Sequence, residues 1–95
     1  MRKLYKGEKR YIGVEVQRRD GATFTLGTST YEVYAPAGTA VDTGSATVEG
    51  STVFFLCDTT KEAYAGGSQY RAYIQTMVDG LPKVLREMIV VEVTP

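Results

Sequence analysis

The chain contains no histidine, no tryptophan and no asparagine, and only one cysteine, among its 95 residues. Without an imidazole it cannot form a Ser-His-Asp or Cys-His relay. One cysteine cannot form an internal disulfide bond, nor supply the roughly four Cys or His ligands of a structural zinc site. The lack of asparagine excludes N-glycosylation. We therefore expect a protein that is not an enzyme and that has no catalytic residues, no cofactor and no metal.

Long apolar runs are absent as well. No run approaches the ~18–20 residues that cross a membrane, and no apolar core of a secretion signal follows the charged start of the chain. We expect cytoplasmic synthesis, with Cys57 reduced and buried. Strand-forming residues are abundant by contrast: 12 Thr, 11 Val, 3 Ile, 7 Tyr and 3 Phe. This composition, with ten glycines between short runs, predicts an all-β domain.

The net charge of zero conceals an uneven distribution. Residues 1–19 carry seven basic and two acidic side chains, whereas residues 20–95 carry four basic and nine acidic ones. We predict a basic N-terminal arm over residues 1–8, followed by one domain over residues 9–95. Such an arm is attracted to an acidic neighbour. The predicted interface residues here are Arg2, Lys3, Lys6, Lys9 and Arg10, with Arg18 and Arg19 completing the basic set.

Alternating apolar and polar residues predict the strands. The pattern runs through residues 9–19 to a turn at Asp20-Gly21, and again through residues 69–78 and 83–94, which Asp79-Gly80 joins. The apolar run 52–58 predicts a central strand covered on both faces. Pro36 predicts that the strand before it either stops there or lies at an edge. We expect about seven antiparallel strands in a single Ig-like β-sandwich.

Three tyrosines fall on the faces that the alternation places outward: Tyr11, Tyr34 and Tyr73. Because tyrosine is enriched at interfaces, we take these three as further interface candidates. The segment Gly67-Ser68-Gln69-Tyr70 has two structural interpretations. Tyr70 is either a plain core aromatic or part of a tyrosine-corner-like element in which its hydroxyl bonds a nearby backbone group.

The order of these motifs resembles the small Ig-like β-sandwich modules of tailed phages and prophages. The motifs are the Arg-Arg-Asp-Gly turn at 18–21, Tyr-Glu-Val-Tyr at 31–34, Gly-Ser-Ala-Thr-Val at 44–48, Thr-Val-Phe-Phe-Leu at 52–56 and Gly-Ser-Gln-Tyr-Arg-Ala-Tyr at 67–73. The N-terminal domains of baseplate upper proteins and small proteins of the head–tail connector region are similar. The resemblance covers most of residues 9–94.

This resemblance implies a virion structural or assembly protein of a phage neck, tail or baseplate. It would be made in a bacterial host and would act through contacts with its own copies or with other virion proteins. Two alternatives remain open: a carbohydrate- or cell-surface-binding module that uses tyrosines, and a small nucleic-acid-binding β-barrel that uses the basic arm. Nucleic acid is the less expected partner, and a membrane is not expected.

Overall fold

The structure, a computed structural model, describes residues 2–17, 21 and 23–93. Arg18, Arg19 and Asp20 of the predicted basic set and turn lie outside the described residues. The described part of the chain contains no helix, which confirms the all-β class and the number of strands. The strands are β1 (Arg2–Tyr5), β2 (Lys9–Glu15), β3 (Ser29–Tyr34), β4 (Ala40–Glu49), β5 (Thr52–Asp58), β6 (Ser68–Val78) and β7 (Leu81–Glu92).

The seven strands form one mixed sheet in the order β1-β7-β6-β3-β4-β5-β2, which nearly closes into a barrel. The prediction of a wholly antiparallel arrangement is wrong, because β1 pairs parallel with β7. The predicted Ig-like sandwich is not confirmed, because β4 belongs to both halves of one continuous sheet. It pairs with β3 between Ala40 and Ala46, and with β5 between Thr47 and Glu49.

The first strand lies within residues 1–8, the predicted arm, and pairs with the sheet. Arg2 to Tyr5 pair with Ile89 to Glu92 of β7, and the amide of Lys6 continues the ladder by donating to the carbonyl of Glu92. The side chain of Leu4 is 1% exposed and lies in the core. Burial of this side chain, which follows two basic residues, anchors the segment.

Two strand environments bear on the predictions. Of the two alternatives at Pro36 the structure has the end of the strand: β3 ends at Tyr34 and is not an edge, because it lies between β6 and β4. Strand β5 is not covered on both faces: Val53, Phe55 and Cys57 are buried, whereas Leu56 is 40% exposed. The outward side of β5 has no second layer over it, so its burial alternates.

The two halves of the sheet meet in a shared core. The rings of Tyr31 on β3 and Phe55 on β5 stack with centroids 4.3 Å apart and planes 15° apart. Gly44 on β4 makes room for this stack, since a Cβ atom there would lie 3.0 Å from the Tyr31 ring. The inner surface of the sheet is therefore filled by side chains, and its outer surface remains for contact with other molecules.

Candidate interaction surface

The outward side chains of β3, β6 and β7 form two cross-strand rows. In one row Glu32 lies opposite Tyr73, which lies opposite Arg86. In the other, Tyr34 lies opposite Arg71, which lies opposite Met88. We call these residues the tyrosine–arginine face: Glu32, Tyr34, Arg71, Tyr73, Arg86 and Met88.

The two tyrosines of this face contact each other. Their rings meet edge to face, with centroids 5.6 Å apart and planes 75° apart. The guanidinium carbon of Arg86 lies 6.0 Å from the centroid of the Tyr73 ring, within range of a cation–π interaction. The Tyr34 hydroxyl donates to a carboxylate oxygen of Glu32, and this hydrogen bond is the main reason that the pKa of Tyr34 is raised.

The face is concave. A groove of about 420 Å³ is lined by Tyr34, Arg71 and Tyr73, with Gln75 and Val84 at one side. A neighbouring depression of about 350 Å³ shares Arg71 and Tyr73 with it and continues to Arg86, Glu87 and Met88. Arg71 and Tyr73 thus lie at the centre of one continuous surface.

The two guanidinium groups of this face, those of Arg71 and Arg86, have no carboxylate partner in the part of the chain that the structure describes. The carboxylate of Glu32 accepts the Tyr34 hydroxyl, and that of Glu87 lies 3.6 Å from the Nε atom of Arg2. Two guanidinium groups therefore remain for an external anion.

The third predicted tyrosine lies elsewhere. Tyr11 is 66% exposed on β2, at the other end of the strand order, and its ring meets that of Phe54 edge to face at 5.8 Å. Exposed Leu56 lies directly opposite it on β5. The structure brings Tyr34 and Tyr73 together but leaves Tyr11 in a separate, smaller apolar patch.

Two of the predicted basic residues, Arg2 and Arg10, join the two edge strands. Arg2 on β1 donates from Nη2 to the carbonyl oxygen of Gly13 on β2, at 2.6 Å. Arg10 on β2 donates from Nη1 to the carbonyl oxygen of Lys3 on β1, at 3.3 Å, and pairs with Glu8 at 2.5 Å. These arginines thus have structural partners in their own chain.

Two of the predicted lysines are engaged as well. The ammonium of Lys6 donates to the carbonyl oxygens of Lys61 at 2.8 Å and Tyr64 at 2.5 Å. The ammonium of Lys9 lies 3.9 Å from the carboxylate of Asp58. Lys3 is exposed on β1. Four of the predicted basic residues thus have partners within the chain: Arg2, Lys6, Lys9 and Arg10.

A buried polar cluster lies beneath the segment between β5 and β6. The hydroxyl of Tyr64, which is fully buried, donates to Asp42 at 3.0 Å, and the ammonium of Lys61 lies 3.2 Å from the other oxygen of the same carboxylate. The hydrogen bond with Asp42 is the main cause of the raised pKa of Lys61. Asp42 is thus satisfied from two sides, and the cluster fixes the segment on the core.

Cys57 lies in this region and is fully buried. Burial disfavours the thiolate and raises the thiol pKa to about 11. The residue is therefore an unreactive part of the core.

Tyr70 and Gly67 fix the beginning of β6. The Tyr70 hydroxyl accepts from the amide of Ala65 at 2.6 Å and donates to the carbonyl of Ala63 at 3.3 Å. Gly67 has a φ of 85°, and its amide donates to the carbonyl of Val91 at 2.7 Å. Both residues therefore have structural contacts, of the kind a tyrosine-corner-like element makes.

Sequence reasoning did not select Arg71 and Arg86 as interface residues, nor Asp42 and Tyr64 as a buried pair. The alternation of β6 already places Arg71 on the same side as Tyr73, which is a signal that could have identified it. No local signal identifies the buried pair, because its members are 22 positions apart.

No helix in the described residues is long and apolar enough to cross a membrane. Comparison with protein-family models, with curated proteins and with solved structures found no match to this chain.

Proposed function

We propose that the protein is a non-catalytic docking domain that binds another protein through the tyrosine–arginine face. The observation that carries this proposal is the pair of guanidinium groups, Arg71 and Arg86, beside the Tyr73 ring without a carboxylate partner in the described part of the chain. Arginine, tyrosine and methionine are among the residue types enriched in the cores of protein–protein interfaces.

A face is a better docking surface in this fold than a strand edge. Strand addition needs an edge with free backbone groups. Between the two edge strands, β1 and β2, the carbonyl oxygens of Gly13 and Lys3 already accept hydrogen bonds from Arg2 and Arg10. This arrangement favours contact through side chains on the outer surface over pairing with another strand.

The phage setting is part of the proposal and is supported by the sequence resemblance. In that setting the domain is a virion structural protein of the neck, tail or baseplate. The Ig-like sandwich is likewise a proposal: strands β1, β7, β6 and β3 would form one layer and β5 with β2 the other. The contact between Tyr31 and Phe55 across the core supports it.

A carbohydrate-binding role is the second candidate. The specific observation in its favour is the groove of about 420 Å³ lined by the rings of Tyr34 and Tyr73. Tyrosine rings stack on sugars, but a neutral glycan would leave both guanidinium groups unpaired. The nucleic-acid alternative loses support because Arg2, Arg10 and Lys6 donate within the chain.

Site-specific photo-crosslinking in the source organism tests the docking function. A photoreactive residue at Gln75, on the rim of the groove, is compared with one at Thr47, an exposed position on β4. We expect one discrete protein adduct at Gln75, none at Thr47, and loss of the adduct when Arg71→Glu is added. Equal labelling at both positions, or no protein adduct at Gln75, overturns the proposal.

The phage setting has a separate test. Virions induced from the source bacterium are purified and their proteins quantified by mass spectrometry. A fixed copy number of this chain per virion supports the setting, and absence of the chain from the virions overturns it. A glycan array completes the comparison, because binding of a neutral glycan that Tyr73→Ala abolishes would favour the carbohydrate candidate.

A further inference from the structure

We propose that the tyrosine–arginine face receives an extended acidic peptide segment whose carboxylates stand at alternate positions. This inference rests on the docking function proposed above and specifies the chemistry of the partner. Its starting point is charge complementarity at Arg71 and Arg86. A guanidinium group binds a carboxylate through two parallel hydrogen bonds, which gives both strength and a defined orientation.

The spacing of the two arginines selects the form of the partner. Arg86 lies opposite Tyr73, and Arg71 lies two residues before Tyr73 on the same strand, so the arginines are diagonal neighbours. Diagonal neighbours on one face of an antiparallel pair are about 7–8 Å apart. Side chains two positions apart in an extended chain lie on the same side, roughly 6.6–6.8 Å apart. Two alternate carboxylates of an extended segment therefore match the two guanidinium groups.

The Tyr73 ring contributes the centre of the contact. It lies between the two arginines in the cross-strand arrangement, and Arg86 already rests over it. The aliphatic part of an acidic side chain can lie on this ring while its carboxylate reaches a guanidinium group. The Tyr34 ring, edge to face with Tyr73, extends the apolar floor along the groove.

The partner is a different chain, not a second copy of this one. The acidic residues of the sequence never occur two positions apart, and their closest spacing is that of Asp58 and Glu62. The protein therefore does not itself contain the segment that the two arginines would recognise. The inference accordingly assigns the face to a heterologous contact.

A nucleic acid fits the same surface less well. The affinity of a protein for nucleic acid comes mainly from many contacts between phosphates and clustered basic side chains. Here Glu32 lines the groove beside Arg71, and the whole chain has no net charge. Two isolated guanidinium groups suit a short acidic peptide.

Binding is measured by isothermal titration calorimetry and by backbone amide NMR shifts at low salt. The probe is a blocked peptide of four Glu-Ser repeats. Its controls are the Gln-Ser counterpart and a peptide with the same number of glutamates spaced three apart. We expect the alternating peptide to shift the amides around Arg71, Tyr73 and Arg86. Both control peptides should bind on the order of tenfold more weakly, because paired guanidinium–carboxylate contacts are lost.

Matched variants locate the contact. Arg71→Glu and Arg86→Glu should each weaken binding about tenfold or more, since each replaces a charge-assisted contact by repulsion. Lys83→Glu makes the same charge change on the opposite side of β7 and should leave affinity within about twofold. Thermal unfolding of every variant verifies that it is folded, and Arg71→Gln provides a milder loss if Arg71→Glu does not fold.

The outcomes separate this inference from the docking function. Equal binding of the three peptides, or shifts away from the face, overturns the acidic-segment inference. A single-stranded oligothymidylate that binds the face more tightly than the peptide also overturns it, in favour of nucleic acid. If the crosslink at Gln75 is present while the peptides fail to bind, docking stands and only the partner chemistry is wrong.

Discussion

The guanidinium group of Arg2 donates a hydrogen bond of 2.6 Å to the carbonyl oxygen of Gly13, and so joins the first strand of the sheet order to the last. Arg10 makes the reciprocal contact, from β2 back to the carbonyl oxygen of Lys3. The sheet does not close by a backbone ladder at this seam. Arginine side chains span it instead, which explains how one mixed sheet approaches a barrel while it keeps two short edges.

Loss of both arginines should weaken the seam. In the double variant Arg2→Met and Arg10→Met, the side-chain bulk remains but the hydrogen bonds to the two carbonyls disappear. We expect the free energy of unfolding to fall by about 1–3 kcal/mol, since each of the two hydrogen bonds contributes ~0.5–1.5 kcal/mol net. Urea unfolding followed by circular dichroism measures it. Lys3→Met, a neighbouring exposed position, should change stability little, and a double variant as stable as Lys3→Met would contradict the role of the seam.

Removal of the Tyr64 hydroxyl should lower the free energy of unfolding, because Asp42 loses its buried hydrogen-bond donor. Tyr64→Phe keeps the ring against Tyr70, which it meets at 5.2 Å, but leaves one Asp42 oxygen without its buried donor. We expect a loss of about 1–3 kcal/mol, the cost of an unsatisfied buried acceptor. Tyr11→Phe removes a hydroxyl from a tyrosine that is 66% exposed and serves as the control. Equal stability of the two variants in urea would show that the Tyr64–Asp42 contact contributes nothing.

Local periodicity predicts much of this fold. The alternation around Ile74 and around Ile89 correctly predicts β6 and β7, and the Asp79-Gly80 turn between them. It also places the side chains of Tyr34 and Tyr73 outward, which is where the structure has them. A strand that buries one face carries this information in its own residues, so no knowledge of its neighbours is needed.

Strand order is not a local property, and the remaining features depend on it. The row Glu32, Tyr73 and Arg86 exists only because β6 lies between β3 and β7. The parallel pairing of β1 depends on a site for Leu4 beside β7, and the continuous sheet depends on β4 reaching both halves. Nothing in the residues around Leu4 or Gly44 specifies those partners, so the sequence predicts neither the parallel pair nor the continuous sheet.

Stability should decline at alkaline pH because of Cys57. Burial raises its thiol pKa from an ordinary 9.0 to about 11, so the folded state holds the proton more tightly than the unfolded state. The contribution of the protonated Cys57 thiol to the free energy of unfolding is therefore fully present below about pH 9 and is lost as the pH rises toward 11. Burial raises the pKa of Tyr64 as well, which adds a decline above about pH 10. Urea unfolding at a series of pH values, from about 7 to 10.5, should show a shallower decline for Cys57→Ala, whatever its absolute stability. Parallel pH profiles for the two proteins would contradict this assignment.

The close approach of the Tyr31 ring to Gly44 should not tolerate even one added methyl group. An alanine Cβ would lie 3.0 Å from Cε1 and 3.1 Å from the hydroxyl oxygen of Tyr31, whose ring also stacks on that of Phe55. The ring cannot retreat without breaking the stack that joins the two halves of the sheet. We expect Gly44→Ala to lower the free energy of unfolding by about 1–3 kcal/mol, the range for overpacking a core. Ser45→Ala, at the exposed position next along β4, controls for strand propensity.

The combination of Gly44→Ala with Tyr31→Ala gives the decisive measurement, because removal of the ring should abolish the added cost of the methyl group. Additive losses in this double-mutant cycle would place the effect of Gly44 elsewhere.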